Sequence, residues 1–452
     1  MRLLAAALAT TIPALALAAD GLDTGDTAFV LLSAGLVLLM TPGLAFFYGG
    51  LVRAKNVVHT MNMSLVCMAF VGVLWALFGY SLAFSPGGGL DRFIGGFAWA
   101  GLAGVGARPE PSLSATIPHG AFMLFQAMFA IITPALISGA LVERVRLKAF
   151  ILFSVLWSAI VYAPVAHWVW APGGWLRGLG ALDFAGGTVV HINAAAAAQV
   201  AAIVLGKRRG QRTPTVLPHN VPFAILGAGL LWFGWLGFNG SSALAANGLA
   251  AYAFANTFFA PAAAAAAWGI VELLRYGKMS GVGIASGAVA GMVAITPAAG
   301  FVTPLSGILL GAVAGFASFG AVRIRPRLGL DDSLDVFAVH GVGATVGALL
   351  TGVFATTVVN SAGADASLAL FGKQALGVAV TLVFSGAVSF GILKLIGLVT
   401  PLRADEQDEW AGLDQAEAGE RGYIFTDIES TGGGAVVRVA PAAAPVPKGA
   451  TT

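Results

Sequence analysis

The sequence predicts an all-α polytopic membrane protein with eleven transmembrane helices. Hydrophobic residues make up 58% of the 452-residue chain, and charged residues make up only 10%. Soluble domains carry about 25% charged residues, so most of this surface is expected to face lipid. Glycine is frequent, with 61 residues, but no Gly-X-Y period accompanies it. The single cysteine, Cys67, excludes a disulfide framework, a thiolate zinc site and an iron–sulfur cluster.

Eleven apolar stretches satisfy the length of about 20 residues that a helix needs to cross a bilayer. They cover residues 27–51, 61–84, 117–141, 148–171, 187–206, 222–243, 250–273, 281–300, 303–321, 336–357 and 374–400. A shorter apolar piece near 93–106 is predicted to be a loop or an interfacial segment.

Basic residues are distributed unevenly between the predicted spans. Connections after odd-numbered spans hold fourteen Lys and Arg residues, whereas those after even-numbered spans hold four. The positive-inside rule therefore places the odd-numbered connections and the C-terminus in the cytoplasm, and the mature N-terminus outside. We expect a multi-pass protein of the cell (inner) membrane, embedded in lipid, with no nucleic-acid partner.

The chain divides into four predicted parts. Residues 1–19 resemble a cleaved signal peptide with the small-residue pattern Ala16-Leu17-Ala18; the alternative is an uncleaved first helix. Residues 20–401 form the eleven-helix domain. Residues 402–423 are predicted to be a cytoplasmic regulatory tail, and the Gly-, Ala- and Pro-rich residues 424–452 are predicted to be disordered.

Two histidines occupy matching places in the predicted spans. Asp183 precedes His191 by eight residues at the start of span five, and Asp332 precedes His340 by eight residues at the start of span ten. This spacing predicts two five-span repeats plus one C-terminal span. Because five is odd, the repeats are inverted relative to each other, and sites of this class lie between them. Ionisable residues inside spans indicate function, so we interpret the histidines as a pore pair. Two separate core histidines are the alternative.

Asp183 and an outer tryptophan, Trp170, lie near the predicted outer face. Asp183 is expected mainly to cap the helix that follows it, and it could also raise the local cation concentration. Trp170 could be an interfacial belt residue or could offer its ring to a small cation.

Aromatic residues line one face of two further spans. Phe125 and Phe129 lie four residues apart in span three, so they share a helix face. In span six, Trp235, Asn239 and Ser242 share a face with Phe238 beside it. Packing or lipid contact is the simpler explanation for each row of aromatic residues. Contact with lipid would not favour Asn239 and Ser242 on the face of span six.

The chain resembles the ammonium transporter/methylammonium permease/Rhesus family. The resemblance is carried by residues 42–50, 125–130, 183–194, 234–239, 296–300 and 335–341. It implies a homotrimer with one pore in each subunit, ammonium as the substrate with methylammonium as its analogue, no cofactor and no enzymatic activity.

The resemblance also implies a role for each site residue. It implies that Phe125, Trp170 and Ser242 recruit ammonium, with Asp183 in support. It implies that Phe129 and Phe238 form a gate and that His191 and His340 line a twin-histidine pore. Lesser pore roles are implied for Trp235, Asn239 and Thr296. The tail segment 412–420 resembles the family's tail motif, with Ala418 where histidine is common, and implies a PII-type regulatory partner. Two alternatives are a sensor that signals through the tail, and a metalloenzyme using His191, His340 and Asp183.

Overall fold

The computed structural model describes residues 21–209 and 217–423. The predicted signal peptide and the predicted disordered extension lie outside the described residues. Within these ranges the regular structure is helical, apart from isolated β-bridges between Glu110 and Ser114 and between Val145 and Arg403. An all-α fold is therefore confirmed for this part of the chain.

Eleven apolar helices follow one another along the described residues. They are α1 (Thr24–Leu51), α2 (Ala54–Phe84), α3 (His119–Ser138), α4 (Leu147–Leu179), α5 (Gly187–Leu205), α6 (Val221–Ala243), α7 (Gly248–Tyr276), α8 (Gly281–Ile295), α9 (Pro304–Leu328), α10 (Phe337–Phe354) and α11 (Leu368–Gly397). A short helix, α12 (Glu406–Ala411), lies in the tail.

Each predicted span overlaps one helix, with ends that differ from the predicted ones by up to eight residues. Ten of the eleven helices are long and apolar enough to cross a membrane. The exception is α8, which has 15 residues and was predicted to continue to residue 300. It ends at Ile295 because Pro297 has no N–H group and cannot donate the next helical hydrogen bond. Residues 93–106 form turns and one short 3₁₀ segment, which agrees with the predicted loop or interfacial segment.

Side-chain caps explain where many of the helices begin. A side chain at the N-cap accepts a hydrogen bond from a backbone N–H of the first turn, which would otherwise be unpaired. These caps are Asp23 for α1, Asn220 for α6, Asn247 for α7, Ser280 for α8, Thr303 for α9 and Ser367 for α11.

Glycine allows the first helices of the two repeats to cross closely. A Cβ added at Gly227 in α6 would lie 2.2 Å from the backbone nitrogen of Phe47 in α1, and one added at Gly50 would lie 2.6 Å from the backbone nitrogen of Ala224. Small residues are what such close crossings require inside a membrane. Gly227 and Gly50 therefore serve helix packing.

The connections after α1, α3, α5 and α9 gather at one end of the molecule, which we call the Arg208 end. Arg208 Nη1 lies 3.0 Å from Glu143 Oε2, and its Nη2 lies 2.9 Å from Asp331 Oδ1. Glu143 Oε1 also accepts a 2.9 Å bond from Arg53 Nε. The tail docks here as well, since Arg146 Nη2 lies 3.0 Å from Asp405 Oδ2. We call the opposite end, where α4 leads into α5, the Trp170 end.

Candidate functional pore

Asp183 organises the start of α5. Its Oδ1 accepts hydrogen bonds of 2.8 and 2.7 Å from the N–H groups of Gly186 and Gly187, and its Oδ2 accepts bonds of 2.8 and 3.1 Å from those of Thr188 and Val189. Gly186 has φ +111°, a conformation that glycine adopts without strain. The carboxylate therefore satisfies the unpaired donors of the helix start and sets where α5 begins.

Asp332 plays a related part in α10. Its Oδ2 accepts a 2.6 Å bond from the N–H of Phe337, the first residue of that helix. Both helices then open with a wide π-helical segment, Gly187–Ile192 in α5 and Phe337–Val342 in α10. Such segments are frequent at functional sites. The matched caps and matched segments agree with the inverted repeat.

The two histidines meet between these segments. The Nδ1 atoms of His191 and His340 lie 3.3 Å apart, and the ring centroids lie 5.3 Å apart with planes 23° from parallel. The residues are 1% and 2% exposed. The same nitrogen of each ring faces the other ring. One imidazole therefore acts as the hydrogen-bond donor at Nδ1, and the other acts as the acceptor. Nε2 of His191 has no hydrogen-bond partner.

Aromatic rings surround His191. Its ring stacks on Trp235 at 5.2 Å between centroids and 19° between planes, and it contacts Phe238 at 6.2 Å. Phe238 and Phe129 stack on each other at 4.1 Å and 22°. This pair of rings separates the histidines from the Trp170 end.

A small cavity of about 150 Å³, the Trp170 cavity, lies beyond the phenylalanine pair and is lined by Phe129, Trp170 and Ser242 among others. Nε1 of Trp170 donates a 3.0 Å bond to the backbone carbonyl of Asp183, which fixes the orientation of the indole. Oγ of Ser242 donates a 2.8 Å bond to the carbonyl of Phe238. The Trp170 ring, the Ser242 side chain and Phe129 thus border one volume.

A larger cavity of about 550 Å³, the Arg208 cavity, reaches the histidines from the other end. His340 and Val339 form its floor, and Tyr48, Asp335 and Arg208 are among its walls. The Trp170 cavity, the phenylalanine pair, His191, His340 and the Arg208 cavity follow one another in this order, and we call this series the candidate path.

Four of the predicted site residues lie beside this path rather than on a cavity wall. Phe125 is fully buried and contacts Phe129 edge to face at 4.9 Å. Thr296 Oγ1 accepts a 2.9 Å bond from Nε1 of Trp235. Asn239 Nδ2 donates a 2.9 Å bond to Oγ1 of Thr257 in α7. The backbone carbonyl of Asp183 accepts the hydrogen bond from Trp170, and its carboxylate caps the start of α5.

The geometry does not assemble the metal site considered from the sequence. Both carboxylate oxygens of Asp183 are occupied by backbone N–H groups, so this carboxylate is not presented to the two histidines. Among residues 21–209 and 217–423, no group of three His, Cys, Asp or Glu side chains lies close enough together to hold a metal ion.

Comparison with known proteins decides the family. Residues 28–423 match the sequence model of the Ammonium Transporter Family. The chain belongs to the ammonium transporter family. An ammonium transporter of Bacillus subtilis is 52% identical over 407 residues, covering 89% of this chain and 99% of that protein. The crystal structure of Saccharomyces cerevisiae Mep2 superposes with a TM-score of 0.80 at 35% identity, covering 86% of this chain and 89% of Mep2.

A third similar protein bears on the sensor alternative. A solved structure named Sensor Amt Protein also superposes with a TM-score of 0.80, at 29% identity, covering 87% of this chain and 98% of that one. Its sequence identity to this chain is lower than the identity of the Bacillus subtilis transporter or of Mep2 to this chain. Sensing is therefore not favoured over transport.

Two polar residues of the Trp170 cavity, Gln126 and Arg177, are not among the predicted site residues. Gln126 lies in a stretch that carried the family resemblance, is 8% exposed, and has no partner for its Oε1 atom. Arg177 follows the break of α4 at Ala171 and lines the same cavity. Its place as a polar residue inside predicted span three, next to Phe125, could have indicated Gln126. No sequence pattern places Arg177 there, because the break in α4 turns it back towards Trp170.

Proposed function

We propose that this chain transports ammonium by recruiting NH₄⁺ in the Trp170 cavity, removing its proton and passing NH₃ along the two histidines. The observation that carries the proposal is the contact between His191 and His340, whose Nδ1 atoms lie 3.3 Å apart between two cavities. The membership of the chain in the ammonium transporter family supports the substrate.

Desolvation makes the loss of a proton necessary. Moving a bare monovalent ion into an apolar environment has an idealised cost of about 20 kcal/mol. A cation–π contact with Trp170 returns only about 1–2 kcal/mol, and the Ser242 hydroxyl adds one hydrogen bond. Ammonium can avoid the remaining cost by leaving its proton behind, whereas potassium has no proton to lose. The path therefore discriminates by chemistry rather than by ion size.

The histidine pair suits neutral ammonia. Each imidazole offers one donor and one acceptor in its neutral form, so the pair can hydrogen-bond ammonia from either side. Two buried imidazoles in contact cannot both be charged cheaply, because burial and mutual repulsion both oppose it. The pair is therefore neutral for most of the transport cycle, and its shared proton offers a route for the proton that ammonium releases.

The phenylalanine pair acts as the gate of this path. Phe129 and Phe238 are 1% and 0% exposed and stack face to face, so they must separate for ammonia to reach His191. Side-chain rotations of this kind are fast compared with domain movements. The helices can therefore remain in place while the gate opens.

Transport in reconstituted vesicles tests the proposal. Purified protein in vesicles is expected to take up ammonium and methylammonium down their gradients, and potassium under a matched gradient is expected to produce no current above that of protein-free vesicles. The absence of ammonium uptake, or equal conduction of potassium, would contradict the proposal.

We further propose that the protein is a homotrimer of the inner membrane, with the Trp170 end outside and the Arg208 end in the cytoplasm. The gathering of basic connections and the tail at the Arg208 end supports this orientation. Methylammonium is proposed as a substrate analogue and a PII-type protein as a partner of the docked tail. Residues 402–423 are proposed as its regulatory tail.

A further inference from the structure

Arg177 places a positive charge at the cavity that is proposed to receive a cation. It lies in the helical turn Trp175–Leu179, and its Nη1 donates a hydrogen bond to the backbone carbonyl of Trp170. Among the described residues that line the Trp170 cavity, Arg177 is the one with a formal charge. The side chain is accessible to solvent, so it stands at the mouth of the cavity.

Asp183 does not neutralise this charge within the cavity. Its carboxylate accepts four backbone N–H bonds at the start of α5, and it is not part of the cavity wall. The rest of the wall is apolar or uncharged, and it includes Phe129, Gln126 and Ser242. An ion in this cavity of about 150 Å³ therefore shares a small volume with the side chain that carries the one formal charge of the described wall.

We propose that Arg177 sets the affinity of this transporter for ammonium by opposing the residence of cations in the Trp170 cavity. The inference rests on the proposed function and deepens it. A fixed positive charge disfavours NH₄⁺ but leaves neutral NH₃ unaffected, so it also favours the release of the proton before the gate. Trp170 attracts the cation, Arg177 limits how strongly it is held, and the balance between them gives the working affinity.

The charge can be tested apart from the hydrogen bond. In reconstituted vesicles, Arg177→Gln is expected to lower the KM for ammonium by roughly threefold to tenfold, which is the size of a like-charge effect between partly solvated groups at this range. The maximal rate is expected not to rise, because the neutral variant binds the cation better without helping it lose its proton. Arg177→Lys keeps the charge and is expected to keep the parental KM.

A matched control and a salt series complete the test. Arg92→Gln removes an arginine from the same end that does not line the cavity, and it is expected to leave the KM unchanged. Raising the ionic strength with impermeant ions shortens the Debye length, so it is expected to lower the KM of the parent but not that of Arg177→Gln.

The outcomes separate this inference from the proposed function. If the parent takes up no ammonium, the proposed function fails. If the parent transports but Arg177→Gln leaves the KM unchanged or raises it, the role of Arg177 is contradicted while transport stands. The role is also contradicted if Arg177→Lys behaves like Arg177→Gln, because the arginine fork rather than the charge would then matter.

Discussion

At the scale of single residues, Asp183 performs two tasks with different atoms. Its carboxylate caps α5, and its carbonyl accepts the Nε1 proton of Trp170 at 3.0 Å. The sequence indicates the first task, because an acidic residue precedes a helix. It cannot indicate the second, since that contact depends on how the chain between Trp170 and Asp183 folds back.

Trp170 is expected to contribute measurable affinity for the cation. Replacing it with leucine removes the ring face, which is worth about 0.5–2 kcal/mol for a bound cation, so Trp170→Leu is expected to raise the KM for ammonium by roughly threefold to thirtyfold. Uptake measured at low ammonium concentration checks this. Trp170→Phe keeps a ring but loses the bond to Asp183, and it is expected to lie between the parent and Trp170→Leu. Parental uptake by Trp170→Leu would show that this tryptophan only packs.

At the scale of elements, buried ion pairs join the connections between helices. Glu143 sits between α3 and α4 with φ +69°, and its side chain is fully buried. Burial by itself would raise the pKa of Glu143, but the hydrogen bonds and charges of Arg53 and Arg208 outweigh burial and lower that pKa. Burial alone would also raise the pKa of Asp331. The hydrogen bonds and the charge of Arg208 outweigh burial and lower the pKa of Asp331.

Removing the charge of Glu143 is expected to destabilise the Arg208 end. Glu143→Gln leaves Arg53 without its carboxylate partner and Arg208 with Asp331 alone. Breaking a buried pair costs about 3 kcal/mol. The melting temperature of the purified protein is therefore expected to fall. The control is Glu406→Gln, which removes an exposed partner of Arg209 and is expected to change stability by about 0.5 kcal/mol or less. Equal melting temperatures for the two variants would contradict the role of Glu143.

The same network predicts the direction of a pH effect. A carboxylate whose pKa is lower in the folded state stabilises the fold above its unfolded pKa of about 4.3, and this contribution is lost as the pH falls through the folded pKa. The melting temperature of the parent is therefore expected to fall at acidic pH. Glu143→Gln is expected to show a shallower decline over the same range, and identical pH profiles would contradict this assignment.

The sequence predicts the helices better than it predicts what connects them. Apolar stretches locate α1 to α11 because the bilayer requires length and hydrophobicity. The end of α8 is missed because the residues after Thr296 are equally apolar, and only the proline marks the break. The contacts of the tail are also not evident from spacing: Asp414 Oδ1 accepts a 2.8 Å bond from the N–H of His59 at the start of α2, across 355 positions of the chain.

At the scale of the whole molecule, the repeat brings the two histidines together. The equal spacing of Asp183 from His191 and of Asp332 from His340 predicts that the two histidines occupy equivalent places. The structure shows that equivalence brings them into contact. The cavities could not be predicted in this way, because each is lined by several helices that do not adjoin in the sequence. Arg177 and the walls of the Arg208 cavity therefore required the structure.

The central claim is that the histidine pair excludes cations by passing only neutral ammonia, and ion selectivity in two variants tests it most directly. Currents and uptake are measured in reconstituted vesicles under matched ammonium and potassium gradients. His191→Asp places an acid in the narrow region and favours a cation, so potassium is expected to carry current. His340→Ala breaks the hydrogen-bonded pair, so ammonia is expected to cross without the coupled movement of charge. If both variants conduct ammonium, exclude potassium and move charge like the parent, the two histidines are packing residues and the account is wrong.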